Sequence, residues 1–177
     1  MAEYLVSIND LPPDGKRFTI EDQDVWLGPL REFKMDCRIS EPLKADVLVM
    51  PADEGCLVRG DLKGEVVVPC NRCAEDATAT INSRFDEYEE IPESGQREKN
   101  GGEGHIVFDR GAPMLSLGEV LWEQFMLALP PRPLCREDCK GLCVQCGTNL
   151  NMNECSCSKD EGDERLAALR NIKIPEK

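Results

Sequence analysis

Residues 133–157 read PLCREDCKGLCVQCGTNLNMNECSC, and six of the chain's ten cysteines fall within them. Two more stand far upstream in VPCNRCAED, at Cys70 and Cys73. Eight of the ten cysteines therefore occur as close pairs: Cys70 with Cys73, Cys135 with Cys139, Cys143 with Cys146, and Cys155 with Cys157. A C-x-x-C turn brings two sulfurs to one point while its backbone N–H groups face the thiolates. A glycine after the second cysteine admits the positive φ such a turn requires, and Cys146-Gly147 fits that pattern. Zinc takes four thiolates in a tetrahedron at about 2.3 Å, so two pairs make one closed site. A single C-x-x-C would be weak evidence, equally consistent with a redox dithiol. Four pairs in one chain favour zinc over a redox dithiol or an iron–sulfur cluster.

The preferred division gives two ions. One site joins Cys70 and Cys73 to Cys135 and Cys139, and the other takes Cys143, Cys146, Cys155 and Cys157, in compact C-x2-C-x8-C-x-C spacing. A competing division joins Cys135 and Cys139 to Cys143 and Cys146, leaving Cys70 and Cys73 unliganded or redox-active. A single ion is a third option. The isolated Cys37 and Cys56 lie on strand-like faces and read as core thiols. A catalytic zinc keeps an open position and usually uses histidine, whereas the only histidine here is His105, with no motif around it. The metal is thus expected to be structural. The chain also has no nucleophile–base pattern, phosphate-binding glycine loop or H-E-x-x-H, so no catalytic residue is expected.

Arg72, Arg132, Arg136 and Lys140 lie among the proposed ligands. They either offset thiolate charge and solvate the surface, or form a small positive patch for an RNA backbone or an acidic protein. No aromatic residues interleave with them, so base stacking is not indicated.

Upstream, the sequence reads as strands. Tyr4 to Ile8 is short and apolar. Phe33, Met35, Cys37 and Ile39 alternate with polar residues, as do Leu43, Ala45, Val47 and Val49, and later Ala77, Ala79, Ile81, Ser83 and Phe85. Period-two alternation places one face in a core and one in water. Cys56 to Leu62 and Glu65 to Val68 predict a hairpin around Lys63-Gly64. Residues 86–104 are acidic and glycine-rich, predicting a mobile loop, before strand-like sequence resumes at His105 to Phe108. Ser116 and Glu119 form an S-x-x-E capping box at the head of a helix that Pro130 and Pro131 stop. A short further helix is expected over 163–171, anchored by Leu166 and Leu169.

The expected architecture is α+β, with a mainly antiparallel, bent β-sheet, one main helix and a C-terminal zinc-bound cysteine module. The division is an α+β domain over 1–133, carrying the acidic loop, and a cysteine-rich module over 134–177. At 177 residues the chain has room for one domain and an appended module. Its net charge of −13 opposes broad contact with nucleic acid and suits basic partners. The opening MAEYLVSIND has no secretory pattern, and no long apolar run follows. Those two features predict a cytoplasmic, reducing setting without a membrane span, in which clustered cysteines bind metal rather than form disulfides.

The ordered motifs resemble the bacterial YceD family, described as large ribosomal RNA subunit accumulation proteins. The matching residues are Cys70, Arg72 and Cys73; Leu129-Pro130 and Pro133-Leu134-Cys135; Asp138-Cys139-Lys140-Gly141-Leu142-Cys143; Cys146-Gly147; Asn149-Leu150-Asn151; and Cys155, Cys157 and Arg165-Leu166-Ala167-Ala168-Leu169. The resemblance implies a role in accumulation of 23S rRNA and large-subunit assembly. It implies precursor 23S rRNA or a large-subunit ribosomal protein as partner, with no small-molecule substrate. The acidic charge favours the basic protein. Two alternatives stay open: a general zinc-stabilised protein-interaction module, and a redox or metal sensor using Cys70 and Cys73.

Overall fold

The computed structural model describes residues 4–92 and 104–157. It divides into two compact units, residues 1–139 and 140–177. The first unit contains, in chain order, β1 Leu5–Ser7, β2 Lys16–Ile20, α1 Asp24–Glu32, β3 Arg38–Ala52, β4 Gly55–Pro69, β5 Asp76–Glu90, β6 Ile106–Asp109, β7 Ala112–Ser116 and α2 Leu117–Ala128. Among the described residues every strand pairing is antiparallel, in a four-stranded sheet ordered β2-β3-β4-β5 and a three-stranded sheet ordered β1-β7-β6.

Alternation along the three long strands explains the layering. Leu43, Ala45, Val47 and Val49 of β3, Val58, Leu62 and Val66 of β4, and Ala79, Ile81 and Phe85 of β5 all point to one buried face. Leu117, Val120, Leu121 and Phe125 of α2 cover that face and are fully buried. Their spacing gives the apolar stripe of a core-facing helix. On the opposite face of the sheet, charged residues pair across strands, as Arg59 does with Asp86 and Arg84 with Asp61.

Several features depart from the sequence reading. A second helix, α1, occupies Asp24–Glu32, and Val25, Trp26, Pro29 and Leu30 make its buried face. The strand expected from Phe33 begins only at Arg38. Lys34, at φ 52°, lies in the turn that follows the helix and interrupts any extended run there. Lys63-Gly64 is not a turn, because β4 runs unbroken from Gly55 to Pro69, with Gly64 paired to Ile81. At Gly64 a Cβ would lie 2.7 Å from Leu43 Cδ2, so the glycine serves close packing against the irregular stretch of β3 between Glu41 and Lys44. Residues 86–90, assigned above to the acidic loop, complete β5. They pair with Gly55–Arg59, and the inward positions carry Glu87 and Glu89, where strand alternation predicts apolar residues. The rest of that loop from residue 93 to 103, and the helix expected over 163–171, lie outside the described residues. Ser116 does precede α2, but its side chain makes no capping hydrogen bond. It is the last residue of β7, paired with Leu5, and its backbone N–H donates to the His105 carbonyl.

Candidate metal centres

The β4–β5 connection is a tight knuckle. Cys70 follows Pro69 at the end of β4, and Cys73 lies three residues before β5. The Cys70 N–H donates to the Glu75 carbonyl and the Ala74 N–H to the Cys70 carbonyl, closing the turn. Ala74 adopts φ 60°, the conformation a glycine would take more easily. The segment after α2 docks on this knuckle. The Asn71 N–H donates to the Pro133 carbonyl at 2.8 Å, and the Arg72 guanidinium donates to the Cys139 carbonyl at 2.8 Å.

These contacts bring together the sulfurs of Cys70, Cys73, Cys135 and Cys139, all within 4.8 Å of one another. Cys70 Sγ lies 3.8 Å from Cys139 Sγ, and Cys73 Sγ 3.5 Å from Cys135 Sγ. A tetrahedron with metal–sulfur bonds of about 2.3 Å has edges of about 3.8 Å, so the four thiols fit one tetrahedral ion. Cys70, Cys73 and Cys139 are buried and Cys135 is exposed.

The second unit holds a matching group, Cys143, Cys146, Cys155 and Cys157, again with all sulfurs within 4.8 Å. Leu142 bridges to Asn149, the Cys143 N–H donates to the Thr148 carbonyl, and the Gly147 N–H donates to the Cys143 carbonyl. Gly147 supplies the positive φ, at 72°. The Asn151 side chain accepts the Lys140 N–H at 2.8 Å, while Asn149 accepts from Asn151. This group is more open, with Cys146 exposed and the other three half-buried.

Four adjacent thiols cannot all ionise without a cation among them, and the protons are shared unevenly. In the first group, burial opposes ionisation of Cys70, but the N–H groups of Cys135, Arg72 and Cys73 outweigh it and lower the pKa to about 6. Burial, then the neighbouring thiols Cys73 and Cys139, push Cys135 up to about 12. In the second group, the Thr148 hydroxyl and backbone bring Cys146 down to about 6. Cys146 and burial push Cys157 up to about 12. A divalent ion would remove this conflict by accepting all four sulfurs as thiolates. Outside both groups, Cys56 is fully buried and Cys37 packs at the core margin. Burial raises the Cys56 thiol to about 11, as suits an inert core cysteine.

The cationic residues separate by role. Arg72 braces the first group, and Arg136 pairs with Asp138 at 3.3 Å. Arg132 is exposed on the segment docked against the knuckle, and Lys140 belongs to the second unit.

A site the sequence reading passed over lies away from the cysteines. His105 bridges Glu89, at 2.7 Å from Nδ1, and Glu123 of α2, at 2.9 Å from Nε2. The available signal was that Glu87 and Glu89 continue the inward phase of Phe85.

Family models give a match over residues 58–173 to the large ribosomal RNA subunit accumulation protein YceD, which is more than half of the chain. The chain belongs to the YceD family. Both cysteine groups fall inside the matched region. The chain is 30% identical over 136 residues to an uncharacterized protein of Mycobacterium tuberculosis strain H37Rv, covering 76% of this chain and 63% of the relative. It is 23% identical over 156 residues to a chloroplastic protein of Arabidopsis thaliana named large ribosomal RNA subunit accumulation protein YCED homolog 1, covering 75% and 49%. A protein of the same name from Zea mays is 24% identical over 139 residues, covering 64% and 47%. The chain thus spans between about half and somewhat under two thirds of the length of these relatives. No solved structure matches it significantly. No helix among the described residues is long and apolar enough to cross a membrane.

Proposed function

We propose that the protein is a non-enzymatic, cytoplasmic factor for accumulation of 23S rRNA, acting in assembly of the large ribosomal subunit by binding. Two zinc ions complete it, one held by Cys70, Cys73, Cys135 and Cys139, the other by Cys143, Cys146, Cys155 and Cys157. Zinc at such sites supplies cross-linking of the chain rather than Lewis-acid chemistry, since all-thiolate coordination leaves no open position for water or substrate. The observation that carries this reading is the pairing of two groups of four thiols, each gathered within 4.8 Å, with membership in a family named for large-subunit rRNA accumulation.

The chain's residues supply the rest. The first group fixes the segment after α2 onto the β4–β5 knuckle, with Arg72 as brace, and so holds the surface around Arg132 and Arg136 rigid. The 134–177 region acts as a zinc-bound module presented to the partner. The acidic balance of −13 favours a basic ribosomal protein over bare precursor rRNA as the direct contact. The test is depletion of the protein in its own host, followed by quantification of both large rRNAs. A fall in 23S relative to 16S is expected, and an unchanged ratio would sink the proposal.

A further inference from the structure

The outer face of the four-stranded sheet ends in an apolar and aromatic corner. The registers Met50↔Leu57 and Leu57↔Tyr88 set three side chains in one row across β3, β4 and β5. Leu48 follows on the same face, two residues along β3. Tyr88 is 52% exposed, so a large aromatic ring stands half in water beside half-buried Leu57, with half-buried Met50 and Leu48 beyond it on β3.

Carboxylates surround this corner. Asp53 and Glu54 form the tip of the β3–β4 hairpin, and Glu90 is the next outward residue of β5. All three are exposed, and no ion pair with a described residue neutralises them. Partial burial first, then the fields of Glu54, Glu90 and Asp53, raise the Tyr88 hydroxyl above its ordinary range. The next cation inward, Arg59, is committed to Asp86, with Nε at 2.9 Å and Nη2 at 2.6 Å. Arg17 stands at the margin, opposite Leu48 on β2.

We propose that this corner docks a basic protein segment, with an Arg or Lys side chain over the Tyr88 ring and toward Glu54 and Glu90, and an apolar neighbour covering Met50 and Leu57. An exposed tyrosine on the edge strand, at the outer end of an apolar row, is a residue type that anchors interfaces, and its ring face attracts a cation. The three carboxylates complement basic side chains and repel phosphates, which sets this surface against nucleic acid. The inference rests on the reading above in that a basic ribosomal protein would be such a partner, and it names where that partner seats.

The experiment is fluorescence anisotropy on the full zinc-loaded chain. The probe is a short labelled peptide alternating arginine and leucine, compared with a glutamate–leucine peptide and a short single-stranded RNA. Binding of the arginine peptide alone is expected. Tyr88→Ala should weaken it about tenfold or more, while Tyr88→Phe, which keeps the ring face, should retain most of it. The pair Glu54→Gln and Glu90→Gln should weaken binding and flatten its salt dependence. Peptide binding unchanged by Tyr88→Ala and by the glutamine pair would overturn the proposal. RNA binding that Tyr88→Ala abolishes would overturn it too. In cells, a depletion that lowers 23S rRNA, alongside a normal 23S level in the Tyr88→Ala strain, would overturn the docking site and leave the wider function standing.

Discussion

The His105 imidazole lies 2.7 Å from one carboxylate oxygen of Glu89, and the other oxygen accepts the His105 backbone N–H at 2.8 Å. The two side chains are only 16% and 7% exposed. A carboxylate held so far from water is tolerated because it has a charged partner. Burial works against the imidazolium, but the Glu89 hydrogen bond and field, then the fields of Glu123 and Glu119, prevail and raise His105 above 6.5. Burial likewise opposes the Glu89 carboxylate, and hydrogen bonds from His105 hold it below 4.5. For the histidine, whose folded pKa is raised, the stabilisation is complete below 6.5 and fades as pH rises through the folded value. For the glutamate, whose folded pKa is depressed, it is present above 4.5 and fades as pH falls through the folded value. The pair therefore contributes most between about pH 4.5 and 6.5 and weakens above neutrality. His105→Ala leaves Glu89 buried without its cation and should cost about 3 kcal/mol near pH 6. Urea unfolding at pH 6 and pH 8.5 checks this, and the gap between wild type and variant should narrow at the higher pH.

If each thiol group holds a zinc ion, as proposed, burial sets the order of metal loss. Three of the first group's four cysteines are buried, whereas Cys146 of the second is exposed and the rest half-buried. A chelator reaches an ion through exposed ligands, so zinc-loaded protein should release two equivalents in two phases. Cys146→Ser should remove the faster phase and Cys70→Ser the slower. Zinc release followed with a chromogenic chelator gives both, and a single phase untouched by Cys146→Ser would contradict the order. Only Cys70→Ser should also lower the melting temperature of the 1–139 unit, because its ligands join the β4–β5 knuckle to the segment after α2.

The two C-x-x-C turns differ at the residue that follows them. Gly147 takes φ 72° freely, but Ala74 holds φ 60° with a Cβ in place. Left-handed geometry costs an L-residue about 1 kcal/mol. Ala74→Gly should thus leave stability unchanged or raise it by up to about 1 kcal/mol, while Gly147→Ala should weaken metal retention in the second group. Calorimetry of the first variant and competition with a zinc chelator for the second would show the asymmetry.

What could be read from the sequence follows from where chemistry and periodicity agree. The cysteine pairs were legible because spacing alone forces their sulfurs together, and the inward residues of β3 and β5 were legible from strict alternation up to Phe85. Helix α1 was hidden because VWLGPLRE carries Gly28 and Pro29, poor helix formers, although Val25, Trp26, Pro29 and Leu30 keep helical spacing. The end of β5 was hidden because Glu87 and Glu89 take positions that alternation reserves for apolar side chains. Their partners, Gln124 and His105, lie far away in sequence, and only the fold brings them together. Lys63-Gly64 reads as a turn for a similar reason, since a glycine inside a strand looks the same in sequence as one between strands.

Gly64 and Gly111 both have positive φ, at 150° and 84°. A Cβ at Gly111 would meet nothing within 4 Å, whereas at Gly64 it would fall 2.7 Å from Leu43 Cδ2 and 3.0 Å from Leu43 Cα. Leu43 is fully buried, and its backbone N–H and carbonyl are held by the Gln23 side chain at 2.9 Å and 2.8 Å, so it has little freedom to yield. Gly111→Ala should cost only the conformational term, about 1 kcal/mol. Gly64→Ala should add an overpacking cost of about 1–3 kcal/mol on top of it. Paired urea titrations measure the difference, and equal losses at the two positions would show that β4 accommodates a side chain at Gly64 and that the irregularity in β3 has another cause.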